Sequence, residues 1–88
     1  MKIKKGYLLR RLADDWVVVP IGDTSLDFSR MMRVNETGVF IWEMLEVERE
    51  REDLVSAILE QYNMDRDTVE KNLNEFLQAL YDRDILMP

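Results

Sequence analysis

At Asn35 the spacing of apolar residues changes from every second position to every third or fourth, dividing the chain of 88 residues into a strand-forming and a helix-forming part. Before the switch, Tyr7 to Leu12 and Trp16 to Ile21 are rich in aromatic and β-branched residues. They are separated by Ala13-Asp14-Asp15, a connection short enough for a hairpin. A second turn signal at Gly22-Asp23-Thr24 leads into Leu26 to Val34. There Leu26, Phe28, Arg30, Met32 and Val34 alternate with Asp27, Ser29, Met31 and Arg33, which predicts a third strand with one mainly apolar face. Pro20 has no N–H to give to a ladder and therefore belongs at a strand end.

Beyond the switch, Ile41, Trp42 and Leu45 form one helical stripe flanked by Phe40 and Met44. Asn35 is placed to cap this first helix, and Glu36 complements the positive end of its dipole. The charged run from Glu46 to Asp53 either links two helices or continues the first. Leu54, Val55, Ile58, Leu59 and Tyr62 give a second helix an apolar face, ending near Asn63. Asp67-Thr68-Val69-Glu70 resembles a capping box with Asp67 as cap, followed by Val69, Leu73, Phe76, Leu77 and Leu80 on one side of a third helix. Ile85, Leu86 and Met87 then pack back or fray.

Three strands followed by three helices predict an α+β fold of winged-helix type, a three-stranded antiparallel sheet followed by a three-helix bundle, as one domain over residues 1–88. A three-stranded meander cannot bury its own apolar face, so the helices must cover it. In a simple meander the third strand has a neighbour on one side only. Its other side presents unpaired backbone N–H and C=O groups unless bulges, charges or a second copy block it.

With no cysteine and no histidine, the chain lacks disulfides, thiolate nucleophiles, imidazole bases and the usual zinc ligands. Its carboxylates are spread over every helix surface and single out no acid–base pair, so no catalytic residue, metal site or cofactor is expected. Asp65-Arg66-Asp67 begins like a calcium loop, but Glu70 stands where the sharp turn wants glycine, and helix capping is the simpler role. Gly6, Gly22 and Gly38 are too dispersed to cradle a phosphate. The longest apolar run, Trp16 to Ile21, is far short of the roughly 20 residues that span a bilayer. No secretory signal is readable at the start, which makes the cytoplasm the expected compartment.

The net charge of −6 is uneven: residues 1–34 sum to +3 and residues 35–88 to −9. The plain account is a solvated surface; the sharper one is a basic N-terminal face for an acidic partner. Of the six methionines, most fill core. Met31 and Met32 are adjacent on a strand, so only one can point into the core and the other is available to a ligand. Trp16 and Trp42 read as core or sheet-covering residues.

The run Val34-Asn35-Glu36-Thr37-Gly38-Val39-Phe40-Ile41-Trp42 resembles the strand-to-helix junction of the PqqD-like family. Trp16 to Pro20, Leu59-Glu60-Gln61-Tyr62 and Asn72 to Leu80 extend the likeness over almost the whole chain. The Asn-x-Thr-Gly-x-x-Ile-Trp run carries most of its specificity. Members usually have an Asp-Gly turn after the first helix and a glycine after the third; here those places hold the charged run and Asp84. The resemblance implies a peptide-recognition element that binds the leader of a ribosomal precursor peptide. It would present that leader to a maturation enzyme, often of the radical S-adenosylmethionine type. In that family the leader adds as a strand beside the third strand, in a cleft closed by the third helix. By position, Ser29, Arg30, Met31, Met32 and Arg33 would serve the strand side, and Asn72, Phe76, Ala79 and Arg83 one line along the third helix. Met32 and Phe76 serve equally well as plain core, and Arg30 and Arg33 as solvated charge.

Two other functions compete. Winged-helix folds commonly bind DNA, but the third helix carries Asp67, Glu70, Glu75, Asp82 and Asp84 against Lys71 and Arg83, the wrong sign for a phosphate-lined groove. An acyl-carrier-like protein would carry a modified serine before a leucine; Ser25-Leu26 fits in type but stands at a strand start, where a carrier needs a helix start. A homodimer could occupy the same open border as a leader.

Overall fold

A computed structural model describes residues 1–21 and 31–88. Its elements in chain order are β1 (Lys2–Ile3), β2 (Tyr7–Leu12), β3 (Asp15–Pro20), β4 (Met32–Val34), α1 (Glu36–Met44), α2 (Arg51–Gln61), α3 (Arg66–Asp82) and β5 (Leu86–Met87). β2, β3 and β4 form an antiparallel sheet in that order, and three helices follow, the α+β arrangement expected from the switch at Asn35. The turn at Gly22 to Thr24, the first part of the predicted third strand and the Ser25-Leu26 pair lie outside the described residues.

The hairpin pairs Tyr7 with Pro20 at one end and Leu12 with Asp15 at the other, leaving Ala13 and Asp14 as a two-residue turn. Ala13 takes a φ of 57°, the first-position signature of a type II′ turn, where glycine is the usual residue. Beyond Pro20 the Ile21 N–H donates to the Gly6 carbonyl at 2.7 Å. Gly6 accommodates that approach at a φ of 103°, open to glycine and strained for other residues. Pro20 is the last residue of β3, at the strand end expected of it.

Asn35 caps α1: its side-chain oxygen accepts from the Gly38 N–H at 2.8 Å. The charged run after α1 divides, since the helix ends at Met44 and α2 begins at Arg51. Arg49 holds the connection, donating from its Nε to the Met44 carbonyl at 3.1 Å and from its backbone N–H to the Met1 carbonyl at 3.0 Å. Leu54, Val55 and Ile58 bury the inner face of α2, as their spacing predicts.

The cap of α3 is Asp65, two residues before the expected Asp67. Its carboxylate accepts from the Thr68 N–H at 2.8 Å and the Thr68 hydroxyl at 3.0 Å, while Asp67 falls in the first turn. The helix ends in a Schellman motif: Ile85 N–H donates to the Leu80 carbonyl at 2.9 Å and Asp84 N–H to the Tyr81 carbonyl at 3.0 Å. Asp84 takes the left-handed position at a φ of 60° and forms an ion pair with Lys4. The motif returns the chain so that β5 pairs with β1, Ile3 opposite Leu86, a second sheet that two-residue strands do not announce in a sequence.

The core lies between the larger sheet and the helices. Val18, Met32 and Val34 supply it from the sheet and Ile41, Trp42, Leu45, Leu54, Leu73 and Leu80 from the helices, all buried. Each such Leu or Ile contributes about 1.5–3 kcal/mol by leaving water. Trp42 is central to this core; Trp16 is half-buried against it, with the Arg11 guanidinium 5.9 Å above its ring. Among the described residues no helix is long and apolar enough to cross a membrane.

Candidate functional site

The hydrogen-bond phase of the sheet determines which backbone groups point outward. The bond from Ile21 to Gly6 places that rung in the hydrogen-bonded phase of the ladder, so by alternation Val19, Val17 and Asp15 face β2. Trp16 and Val18 therefore face β4, where they meet Val34 and Met32. Arg33, between those two, turns its N–H and C=O off the sheet. Among the described residues no strand lies on that side of β4.

Side chains alternate about the same axis. Met32 and Val34 point into the core, at 7% and 8% exposure, which settles which of the paired methionines is internal. Met31 is half-buried, and Arg33 is exposed on the outer face, where it holds Asp15 at 2.8 Å. Ser29 and Arg30 lie outside the described residues.

Beside this border, α1 and α3 enclose a cleft of about 270 Å³ lined by Asn35, Thr37, Gly38, Ile41, Asn72, Glu75 and Phe76. Its floor is apolar, from Gly38, Ile41 and Phe76, and its rim carries amide, hydroxyl and carboxylate groups. A shallower depression of about 450 Å³ over Asp15, Trp16, Arg33 and Val34 meets the cleft at Asn35. Together they form a path from the edge of β4 to the flank of α3.

Of the residues expected on the third helix, Asn72 and Phe76 line the cleft. Ala79 is half-buried one and two turns further on, and Arg83 is the exposed C-cap residue of α3. Asn35, Thr37, Gly38 and Ile41, expected as a helix cap, junction residues and part of an apolar stripe and not as site residues, are four residues of the Asn-x-Thr-Gly-x-x-Ile-Trp run and form the opposite wall. Glu75 had no signal beyond its place between Asn72 and Phe76.

Ion pairs hold the far side of α3 to α2. Arg66 binds Glu52 at 2.5 Å and Glu70 at 3.2 Å, and hydrogen bonding to Glu52 raises its pKa further above the usual arginine range. Arg51 donates to the Asn74 side chain at 2.7 Å. These contacts fix the helix whose opposite face lines the cleft.

Residues 15–86 match the family described as Coenzyme PQQ synthesis protein D (PqqD). A solved structure, "TbiB1 in Complex with the TbiA(beta) Leader Peptide", superposes with a TM-score of 0.73 at 30% sequence identity, covering 98% of this chain and 94% of that one. No curated protein sequence matches significantly.

Proposed function

Because the chain belongs to the PqqD family, we propose that it is a non-catalytic carrier that takes up the leader of a ribosomal precursor peptide as an added strand on β4 and presents it to a maturation enzyme. The observation that carries this is the outward-facing backbone of Arg33 beside a partly apolar cleft against α3. The leader complex formed by the similar TbiB1 chain supports the same partner class.

Strand addition supplies main-chain bonds worth about 0.5–1.5 kcal/mol each, with selectivity from pockets that take alternate side chains. Ordering a flexible leader costs about 2–5 kcal/mol, so the affinity is modest and reversible, as a carrier requires. In this proposal Ser29, Arg30, Met31, Met32 and Arg33 form the strand side, and Asn72, Phe76, Ala79 and Arg83 the helix side. The buried Met32 contributes through its position in the strand, while Arg33 offers both backbone groups and a cation. The maturation enzyme is of the radical S-adenosylmethionine type, and the carrier works in the cytoplasm as one domain over residues 1–88.

A DNA-binding role gains nothing from the structure, since the exposed surface of α3 carries Asp67, Glu75 and Asp82 and its Arg66 is engaged by Glu52 and Glu70. An amide-shift titration with the candidate leader tests the proposal. Shifts centred on residues 31–34 and the Asn72–Phe76 flank are expected; shifts confined elsewhere reject the groove. Light scattering separates the competing occupant, a second copy on the same border.

A further inference from the structure

The sheet has a second border. Leu8 and Arg10 form narrow pairs with Val19 and Val17, so Tyr7, Leu9 and Arg11 direct their N–H and C=O groups away from β3, on the side remote from β4. Among the described residues no strand pairs with β2 there. A groove of about 480 Å³ lies at this place. Leu8 and Leu9 both line it although their side chains lie on opposite faces, so the groove follows the strand edge instead of covering one face. Tyr7 and Trp16 give it an aromatic floor; Trp42, Glu43 and Glu46 line it from α1 and the turn after it, and residues 2–5, with three lysines, line it as well. The edge of β2 thus faces α1 much as the edge of β4 faces α3.

Charge indicates what this edge can take. Residues 1–21 carry five basic and two acidic side chains, whereas residues 31–88 carry six basic and fourteen acidic ones. Lys5, Arg10 and Arg11 are exposed on or beside β2. An acidic segment is attracted here and repelled by most of the remaining surface. A strand added at Leu9 would turn alternate side chains outward, toward Arg10 and the half-exposed Leu8 and Leu12, and the others inward, toward the aromatic floor.

We propose that the free edge of β2 is a second strand-acceptor site, for an extended segment of the partner enzyme whose outward side chains are acidic and inward ones apolar. The inference rests on the carrier reading: a chain that holds a leader on β4 and passes it to an enzyme needs a docking surface that the leader leaves open. The opposing account is that Lys5, Arg10 and Arg11 only guard an edge strand against association.

The test titrates the full chain, alone and with leader, with acetyl-Thr-Glu-Val-Glu-Val-Glu-Thr-amide and with the same peptide carrying lysine for glutamate, and follows amide and indole shifts. The acidic peptide saturates shifts at Tyr7, Leu9, Arg11 and the Trp42 indole, with or without leader. The lysine peptide binds at least about five-fold more weakly, and Arg10→Glu lowers the affinity for the acidic peptide by a similar factor. Absence of saturable shifts at these residues up to about millimolar peptide, or shifts centred on Met31–Val34, overturns the second site. Failure of the leader to shift Arg33, with the acidic peptide still shifting residues 7–11, counts against the carrier function alone.

Discussion

Gly38 brings α1 so close to β4 that a Cβ on it would stand 2.5 Å from Val34 Cγ1. The same atom would lie 3.1 Å from a ring carbon of Phe76. One missing side chain therefore lets strand edge, helix start and α3 converge on the cleft, which explains a glycine inside a nine-residue helix despite its poor propensity.

Gly38→Ala accordingly destabilises the fold. The gain in helix propensity, about 1 kcal/mol, is outweighed by overpacking against buried Val34, which typically costs about 1–3 kcal/mol with further loss if the strand shifts. Denaturant midpoints measure the sum, and leader titration reads the damage to the cleft. A variant as stable as the parent, with unchanged leader binding, would show that the close approach is dispensable.

Arg33→Glu separates charge from fold. Its pair with Asp15 is exposed, at 77% and 52% side-chain accessibility, so the stability change stays within about 1 kcal/mol. Leader affinity falls about three- to ten-fold if an acidic leader residue sits opposite. Equal affinity would mean that Arg33 serves through its backbone alone.

Ala13→Gly stabilises the protein by about 1 kcal/mol, because Ala13 holds a left-handed φ of 57° that glycine adopts freely. Asp84→Gly gains less, since the same relief at a φ of 60° is offset by loss of the ion pair to Lys4. Thermal unfolding of both variants checks the order; Asp84→Gly exceeding Ala13→Gly would contradict it.

Hydrogen bonds from the Thr68 backbone and side chain lower the pKa of Asp65 below the usual carboxylate range. A group depressed on folding contributes its stability above the unfolded pKa, near 3.9, and loses it as pH falls through the folded value. The part of acid destabilisation due to this cap therefore sets in below about pH 4 and is absent in Asp65→Asn. Urea midpoints of parent and variant across pH 2–6 measure the difference; parallel curves would remove the cap from the acid response.

Much of this was legible from residue spacing, for physical reasons. The strand-to-helix switch at Asn35, the hairpin between Leu12 and Trp16, the stop at Pro20 and the buried faces of α2 and α3 all follow from periods and backbone chemistry that act locally, although Asp15, expected in the connection, pairs with Leu12 and leaves a turn of only two residues. The β1–β5 ladder was not legible, because Ile3 and Leu86 meet only after the whole chain has folded and two residues show no period. The cap of α3 was misplaced because Asp65 and Asp67 both suit a helix start, and only the Thr68 geometry decides between them. On the site, Asn72 and Phe76 follow from the family resemblance, which implies a cleft closed by the third helix, whereas Thr37 and Gly38 become cleft residues only once α1 packs against α3.

Amide hydrogen exchange at Arg33 tests strand addition most directly. Met32 and Val34 already face β3 in the free protein, so their amides should change little on leader binding, while the outward Arg33 amide gains protection of at least about ten-fold at saturating leader. A saturated complex in which Arg33 exchanges as fast as in the free protein would contradict it.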